Sequence, residues 1–130
     1  MAAMKKIAIL TSGGDSPGMN AAIRAVARSA VAKDMEAVGI MRGFEGLLEG
    51  DFRPLGARDV GGIIHRGGTI LQTARSSRFM EPQWQDRAAD NLLGAGIQGL
   101  AVIGGGGSFQ GARVLQKRGV AVAGIPGTID

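Results

Sequence analysis

Leu100-Ala101-Val102-Ile103-Gly104-Gly105-Gly106-Gly107-Ser108-Phe109-Gln110-Gly111 is the stretch that decides the fold. Four apolar residues form a short buried strand. Four glycines then strip every side chain from the point where the strand ends, and Ser108 stands at the position of a helix N-cap. A strand that breaks into glycines and opens a helix suits a phosphate. Bare backbone approaches an anion closely, unpaired N–H groups point at it, and the helix dipole favours negative charge. Glycine-rich turns also serve as plain strand-to-helix connections, so the reading gains its weight from two further strands that end in the same way.

The first is Ile7-Ala8-Ile9-Leu10, a continuous apolar run of the kind buried on both faces of a parallel sheet. It breaks at Thr11-Ser12-Gly13-Gly14-Asp15-Ser16-Pro17-Gly18, and Ala22, Ile23, Val26, Ala27 and Ala30 then recur at helical spacing from Met19 to about Val31. A second strand is expected over Glu36–Met41, ending at Gly43, with loop-like composition between Glu49 and Leu55. A short helix is expected from Arg58-Asp59-Val60 through Ile63 and Ile64, stopping at Gly67-Gly68. The run Thr69–Phe79 is irregular and polar, and its Arg75, Ser76, Ser77 and Arg78 suit an anion. Pro82 opens a helix that carries Ala88, Leu92 and Leu93 and ends at Gly94-Ala95-Gly96. After the decisive strand, a helix is expected over about Phe109–Lys117, closed by Gly119. The other glycine-terminated strand is the last, Val120-Ala121-Val122-Ala123-Gly124, leading to Ile125-Pro126-Gly127-Thr128-Ile129-Asp130.

Strands alternating with helices predict an α/β fold, a mainly parallel sheet with helices on both faces. In such sheets ligands sit beyond the carboxyl ends of the strands. Residues 13–15, 104–108 and 127–130 are therefore expected along one edge. Gly13-Gly14-Asp15-Ser16-Pro17-Gly18 is not G-x-G-x-x-G, and no G-x-x-x-x-G-K-[ST] occurs, which excludes the two standard nucleotide motifs.

Bulk properties agree with this reading. The 130 residues allow one domain at most, and the 23 glycines follow no collagen-like period. The absence of cysteine excludes disulfides and thiolate metal sites and fits a reducing cytosol. No apolar run approaches the ~20 residues of a membrane span. Met1-Ala2-Ala3-Met4-Lys5-Lys6 precedes an apolar run too short for a signal peptide, so a soluble cytoplasmic chain is expected. The net charge of +4 is scattered and aromatics make up only 4%, which argues against nucleic acid and for small anionic ligands.

Three segments carry a more specific signal. Thr11-Ser12-Gly13-Gly14-Asp15-Ser16-Pro17-Gly18-Met19-Asn20-Ala21-Ala22-Ile23-Arg24 resembles the opening signature of the 6-phosphofructokinases. Arg66-Gly67-Gly68-Thr69-Ile70-Leu71-Gln72-Thr73-Ala74-Arg75 and Pro126-Gly127-Thr128-Ile129-Asp130 resemble two further signatures of that family, in the right order and spacing. The similarity leans to the bacterial ATP-dependent enzymes, which phosphorylate the 1-hydroxyl of fructose 6-phosphate and serve glycolysis as allosteric homotetramers. It implies that Gly14, Arg75, Ser76, Gly105, Gly107 and Ser108 contact ATP, and that Thr128, Ile129 and Asp130 face the sugar. Asp130 matches the general base on the attacking hydroxyl, and Arg75 the group that neutralises charge on the moving phosphoryl. Arg24 and Arg28, one helical turn apart, match positions that bind the phosphate of an ADP-type effector at a subunit interface. His65 carries no assigned role.

Two departures stand out. The family's glycine loop reads Gly-Gly-Asp-Gly-Ser, its aspartate holding Mg²⁺, and Gly106 occupies that position here. The family also continues past Asp130 into a sugar-phosphate-binding domain. The expectation is therefore an incomplete nucleotide-binding domain over residues 1–130, inactive alone. Gly107 favours ATP over the diphosphate-dependent branch, where an aspartate typically stands. A non-catalytic nucleotide or phosphate binder is the alternative from a different class.

Overall fold

The apolar run Ile7–Leu10 and its three parallel partners set the architecture before any helix is placed. The computed structural model describes residues 4–14, 18–63 and 68–127. In chain order the elements are β1 (Lys6–Thr11), α1 (Met19–Ala32), β2 (Glu36–Ile40), α2 (Gly43–Glu49), β3 (Phe52–Pro54), α3 (Pro82–Gly94), β4 (Gly99–Gly104), α4 (Gly106–Gln116) and β5 (Ala121–Pro126), with a 3₁₀ turn at Arg78–Met80 before α3. The sheet order is β3-β2-β1-β4-β5. Strands β1, β2, β4 and β5 are parallel, and β3 closes one edge antiparallel to β2.

Register is what makes the glycine turns meet. Thr11 lies opposite Ile103, and Gly104 opposite Pro126. The ladder continues one step beyond the strands, with Ser12 N–H donating to the Ile103 carbonyl at 3.0 Å and Gly127 N–H to the Gly104 carbonyl at 3.0 Å. Three strand ends thus finish level at one edge of the sheet, as the alternation of strands and helices predicts.

Both faces carry a core. Leu10, Val38, Ile40, Val102 and Leu100 meet Leu47 and Leu48 of α2, Leu92 of α3 and Leu115 of α4. Ile9 and Ile103 meet Ile23, Ala27 and Ala30 of α1, with Leu55, Val60 and Leu71 from the connecting segment. Each fully buried aliphatic side chain stabilises the fold by roughly 1.5–3 kcal/mol, so the sheet is held mainly by this two-sided burial. No helix among the described residues is long and apolar enough to cross a membrane.

Three local expectations are corrected, and one helix lies where none is expected. The strand over Glu36–Met41 ends before Gly43, at Ile40, and the stretch after it forms helix α2. Its two internal glycine-type signals hid it, but Phe44, Leu47 and Leu48 are buried, and that packing outweighs low intrinsic propensity. Within the loop-like Glu49–Leu55 stretch, Phe52–Pro54 pairs with β2. The helix expected from Arg58 is instead a run of turns over 57–62, ending in 3₁₀ geometry at Ile63. Gly61-Gly62 lowers helix propensity there, while Val60 and Ile63 still reach the core. Helix α4 begins at Gly106, so its N-cap is Gly105, and Ser108 sits inside the first turn.

Candidate functional site

Beyond the level strand ends lies a cleft with two walls and a shared floor. The floor is Ser12-Gly13-Gly14, which borders a hollow of about 390 Å³ on one side and another of about 540 Å³ on the other. The first is walled by Gly104, Gly105, Gly107 and Ser108, with Gly127 beside them. The second is walled by Thr73, Ala74, Arg75 and Ser76, with Phe44. Both volumes fall in the range of small-molecule sites. A third hollow, at the other end of the strands, is lined by apolar groups such as Met4, Ile7 and Ala121 and offers no side chain to orient a polar ligand.

The glycine wall is built from backbone. Gly105 is extended, at φ −117° and ψ −172°, and the first intrahelical bond of α4 runs from Phe109 N–H to the Gly105 carbonyl at 3.1 Å. The N–H groups of Gly106, Gly107 and Ser108 therefore have no partner within the helix. Helix α1 also starts at this cleft, since Met19 lines it, and its N-cap is Gly18. Neither cap residue has a side chain to offer, and neither helix has an acidic residue in its first turn. Two helix starts are thus left able to favour an anion. At Gly104 a Cβ would come within 2.7 Å of the Ser12 carbonyl oxygen, so glycine is required where β4 meets the floor.

The arginine wall is irregular chain held by side chains from elsewhere. The Asn20 Oδ1 on α1 accepts from Ile70 N–H at 2.8 Å. Thr11 Oγ1 lies 3.0 Å from Thr69 Oγ1 and donates to the Gln72 carbonyl at 3.0 Å. Arg42 N–H bonds the Leu71 carbonyl at 2.8 Å. At the far end Glu45 pairs with Arg78, and the Ser76 hydroxyl, followed by Arg78, holds its carboxyl below its ordinary range. Phe44 stacks on Phe79 with ring centroids 4.5 Å apart. Arg75 itself is exposed and has no ion pair or hydrogen bond among the described residues, leaving a cation free beside the cleft.

The structure brings Gly14, Arg75, Ser76, Gly105, Gly107 and Ser108 to this one cleft, as expected of residues 13–14 and 104–108. Thr128, Ile129 and Asp130, and Asp15, lie outside the described residues. Arg24 and Arg28 lie on α1 and are not among the residues that line the cleft, with Arg24 Nε buried and Arg28 exposed. Sequence reasoning missed Thr11, Asn20, Glu45 and Phe44. One signal was available: Asn20 shares the buried face of α1 with Ile23, Ala27 and Ala30, and an amide at such a position needs a partner.

Mg²⁺ does not fit the residues described. Gly106 presents no side-chain oxygen, and no group of three or more His, Cys, Asp or Glu residues among those described could hold a metal ion. Hard cations prefer several oxygen ligands, and the glycine wall offers a cation no carboxylate, only backbone and the Ser108 hydroxyl.

The fold and cleft define a class: an α/β protein whose parallel strands end at a site suited to anions. The chain belongs to the phosphofructokinase family, whose model matches residues 6–130. It is 58% identical over 127 residues to the ATP-dependent 6-phosphofructokinase of Clostridium tetani, and 55% identical over 128 residues to ATP-dependent 6-phosphofructokinase 1 of Thermus thermophilus. Each match covers 98% of this chain and 40% of the relative, so the chain spans about 40% of the length of these curated relatives. Among solved structures, Pichia pastoris phosphofructokinase in the T-state superposes with a TM-score of 0.91 at 38% identity, over 100% of this chain and 16% of that one.

Proposed function

We propose that this chain is the nucleotide-binding part of an ATP-dependent 6-phosphofructokinase, acting in glycolysis in the cytoplasm. The observation that carries the reading is the meeting of two uncapped helix starts, a glycine wall and an unpaired Arg75 at one cleft, within a chain of this family. The triphosphate lies along Gly14 and the N–H groups of Gly105, Gly107 and Ser108, and Arg75 and Ser76 approach it from the opposite wall. In the reaction, the 1-hydroxyl oxygen of fructose 6-phosphate bonds to the γ-phosphorus as the bridging bond to ADP breaks. Asp130 accepts the hydroxyl proton, Thr128 and Ile129 orient the sugar, and Arg75 neutralises charge on the transferring group. In this reading residues 1–130 belong to the nucleotide-binding domain. Arg24 and Arg28 take the phosphate of an ADP-type effector in a homotetramer.

Gly106 favours one second reading, a nucleotide or phosphate binder without turnover, because the glycine wall carries no carboxylate for Mg²⁺. Two measurements decide between them. Calorimetric titration with ATP tests the site, and absence of binding by the wild-type chain overturns both readings. Formation of fructose 1,6-bisphosphate by a protein that carries this chain together with a sugar-phosphate domain supports the kinase. Binding without any such product supports the binder.

A further inference from the structure

We propose that Thr11 and Glu45 are positioning residues that suspend the Arg75 loop over the nucleotide site, a role that rests on the nucleotide reading above. Arg75 has no partner among the described residues, so its place is decided by the backbone on either side. On one side the hydrogen bonds form a single direction of donation. Leu71 N–H donates to Thr69 Oγ1 at 3.1 Å, the Thr69 hydroxyl donates to Thr11 Oγ1, and the Thr11 hydroxyl donates to the Gln72 carbonyl. Each hydroxyl gives one proton and accepts one bond, so the relay is fully satisfied. Thr11 is completely buried, so water cannot replace it. The relay ends on Gln72, whose φ of +65° is a conformation that non-glycine residues keep only when their surroundings enforce it.

On the other side Glu45 accepts from Arg78, three residues past Arg75. Only residues 73–77 run between the two anchors. Glu45 belongs to α2, which is fixed to the core through Leu47 and Leu48. The loop that lines the cleft therefore hangs between β1 and α2, and neither anchor touches the ligand space with its reacting end. Positioning of this kind matters because a loop already held in its binding conformation loses less conformational freedom when the ligand arrives.

The test uses ATP titration and amide hydrogen exchange on the chain carrying Thr11→Val, Thr11→Ser or Glu45→Gln, alone and with Arg75→Ala. Thr11→Val keeps the shape and deletes the relay; an approximately tenfold weaker ATP affinity is expected, with Thr11→Ser restoring it. Glu45→Gln keeps the shape and deletes the charge, with an approximately threefold loss. In both variants the amides of 73–76 exchange faster while those of β4 do not. Combined with Arg75→Ala, neither substitution weakens binding further, the non-additivity expected of groups acting through one another. Wild-type affinity in both variants, unchanged exchange over 73–76, or additive losses with Arg75→Ala overturns the proposal. If Thr11→Val does not fold, Glu45→Gln, at a partly exposed side chain of α2, carries the same test. If the wild-type chain binds no ATP, the nucleotide reading falls, and hydrogen exchange alone then decides whether the anchors hold the loop.

Discussion

The glycine wall at Gly104–Ser108 is continuous with one strand and one helix, whereas the arginine wall at Thr73–Ser76 hangs from β1, α1 and α2. The first needs only local backbone geometry. Its N–H groups are presented because a helix starts there, and its room exists because side chains are missing. The second presents a side chain, Arg75, whose position depends on residues distant in sequence by up to 61 positions. A site for a charged ligand thus combines a part that forms with its own element and a part that forms only when the whole sheet has assembled. The difference implies that the two walls fail differently when perturbed.

The largest effect is expected from Gly104→Ala, where the added methyl meets the Ser12 carbonyl across the floor. Overpacking of that kind costs about 2–3 kcal/mol, and urea denaturation should show it together with loss of ATP binding. Gly105→Ala, one residue on, meets nothing within 4 Å and should change stability by less than about 0.5 kcal/mol. Equal midpoints for the two would show that the glycine wall is not held against the floor. On the arginine wall, Asn20→Ala removes the buried acceptor of Ile70 N–H and should cost about 1–2 kcal/mol. Its signature is faster exchange of the Ile70 amide with the β4 amides unaffected; uniform exchange across the molecule would erase the distinction between the walls.

Gly106→Asp sharpens the comparison by adding a charge to the wall that has none. The position is open, and an acidic residue in the first turn of α4 should stabilise by about 0.5 kcal/mol. The new carboxylate should weaken ATP binding without metal and make it rise with added Mg²⁺, whereas the natural chain should respond less. ATP affinities that respond equally to Mg²⁺ in both proteins would place a metal ligand elsewhere. A comparably small effect concerns pH. The Ser76 hydroxyl and Arg78 hold the Glu45 carboxyl below its ordinary value of 4.5, so its contribution is present above that value and lost as pH falls through the lower folded value. Glu45→Gln should therefore lower stability by less than about 1 kcal/mol near neutrality, with the gap to wild type closing in acid. A gap that persists at low pH would mean that packing, not charge, ties α2 to the loop.

Much of this fold could be read without coordinates. The apolar runs at Ile7–Leu10 and Leu100–Ile103 are too short and too continuous for amphipathic helices, and each breaks into glycine, so parallel strands with open turns follow from composition and order. Helices α1 and α3 announced themselves by period and by Pro82. Helix α2 and strand β3 did not, because Gly43, Gly46 and Gly50 speak locally against a helix and only the packing of Phe44, Leu47 and Leu48 outweighs them. The turns at 57–62 failed in the opposite sense, since an apolar spacing there serves burial without a helix.

What the sequence by itself determined is the glycine wall, for its chemistry is the absence of side chains at consecutive positions. Only the tertiary structure decided that Thr11, Asn20 and Glu45 hold the arginine wall. A threonine ending a strand, an asparagine in a helix and a glutamate near a glycine are ordinary locally. They become anchors when parallel register and helix packing bring them within hydrogen-bond distance of residues 69–78. Hydrogen bonds act over about 3 Å, and distances of that order between remote residues are set by the fold.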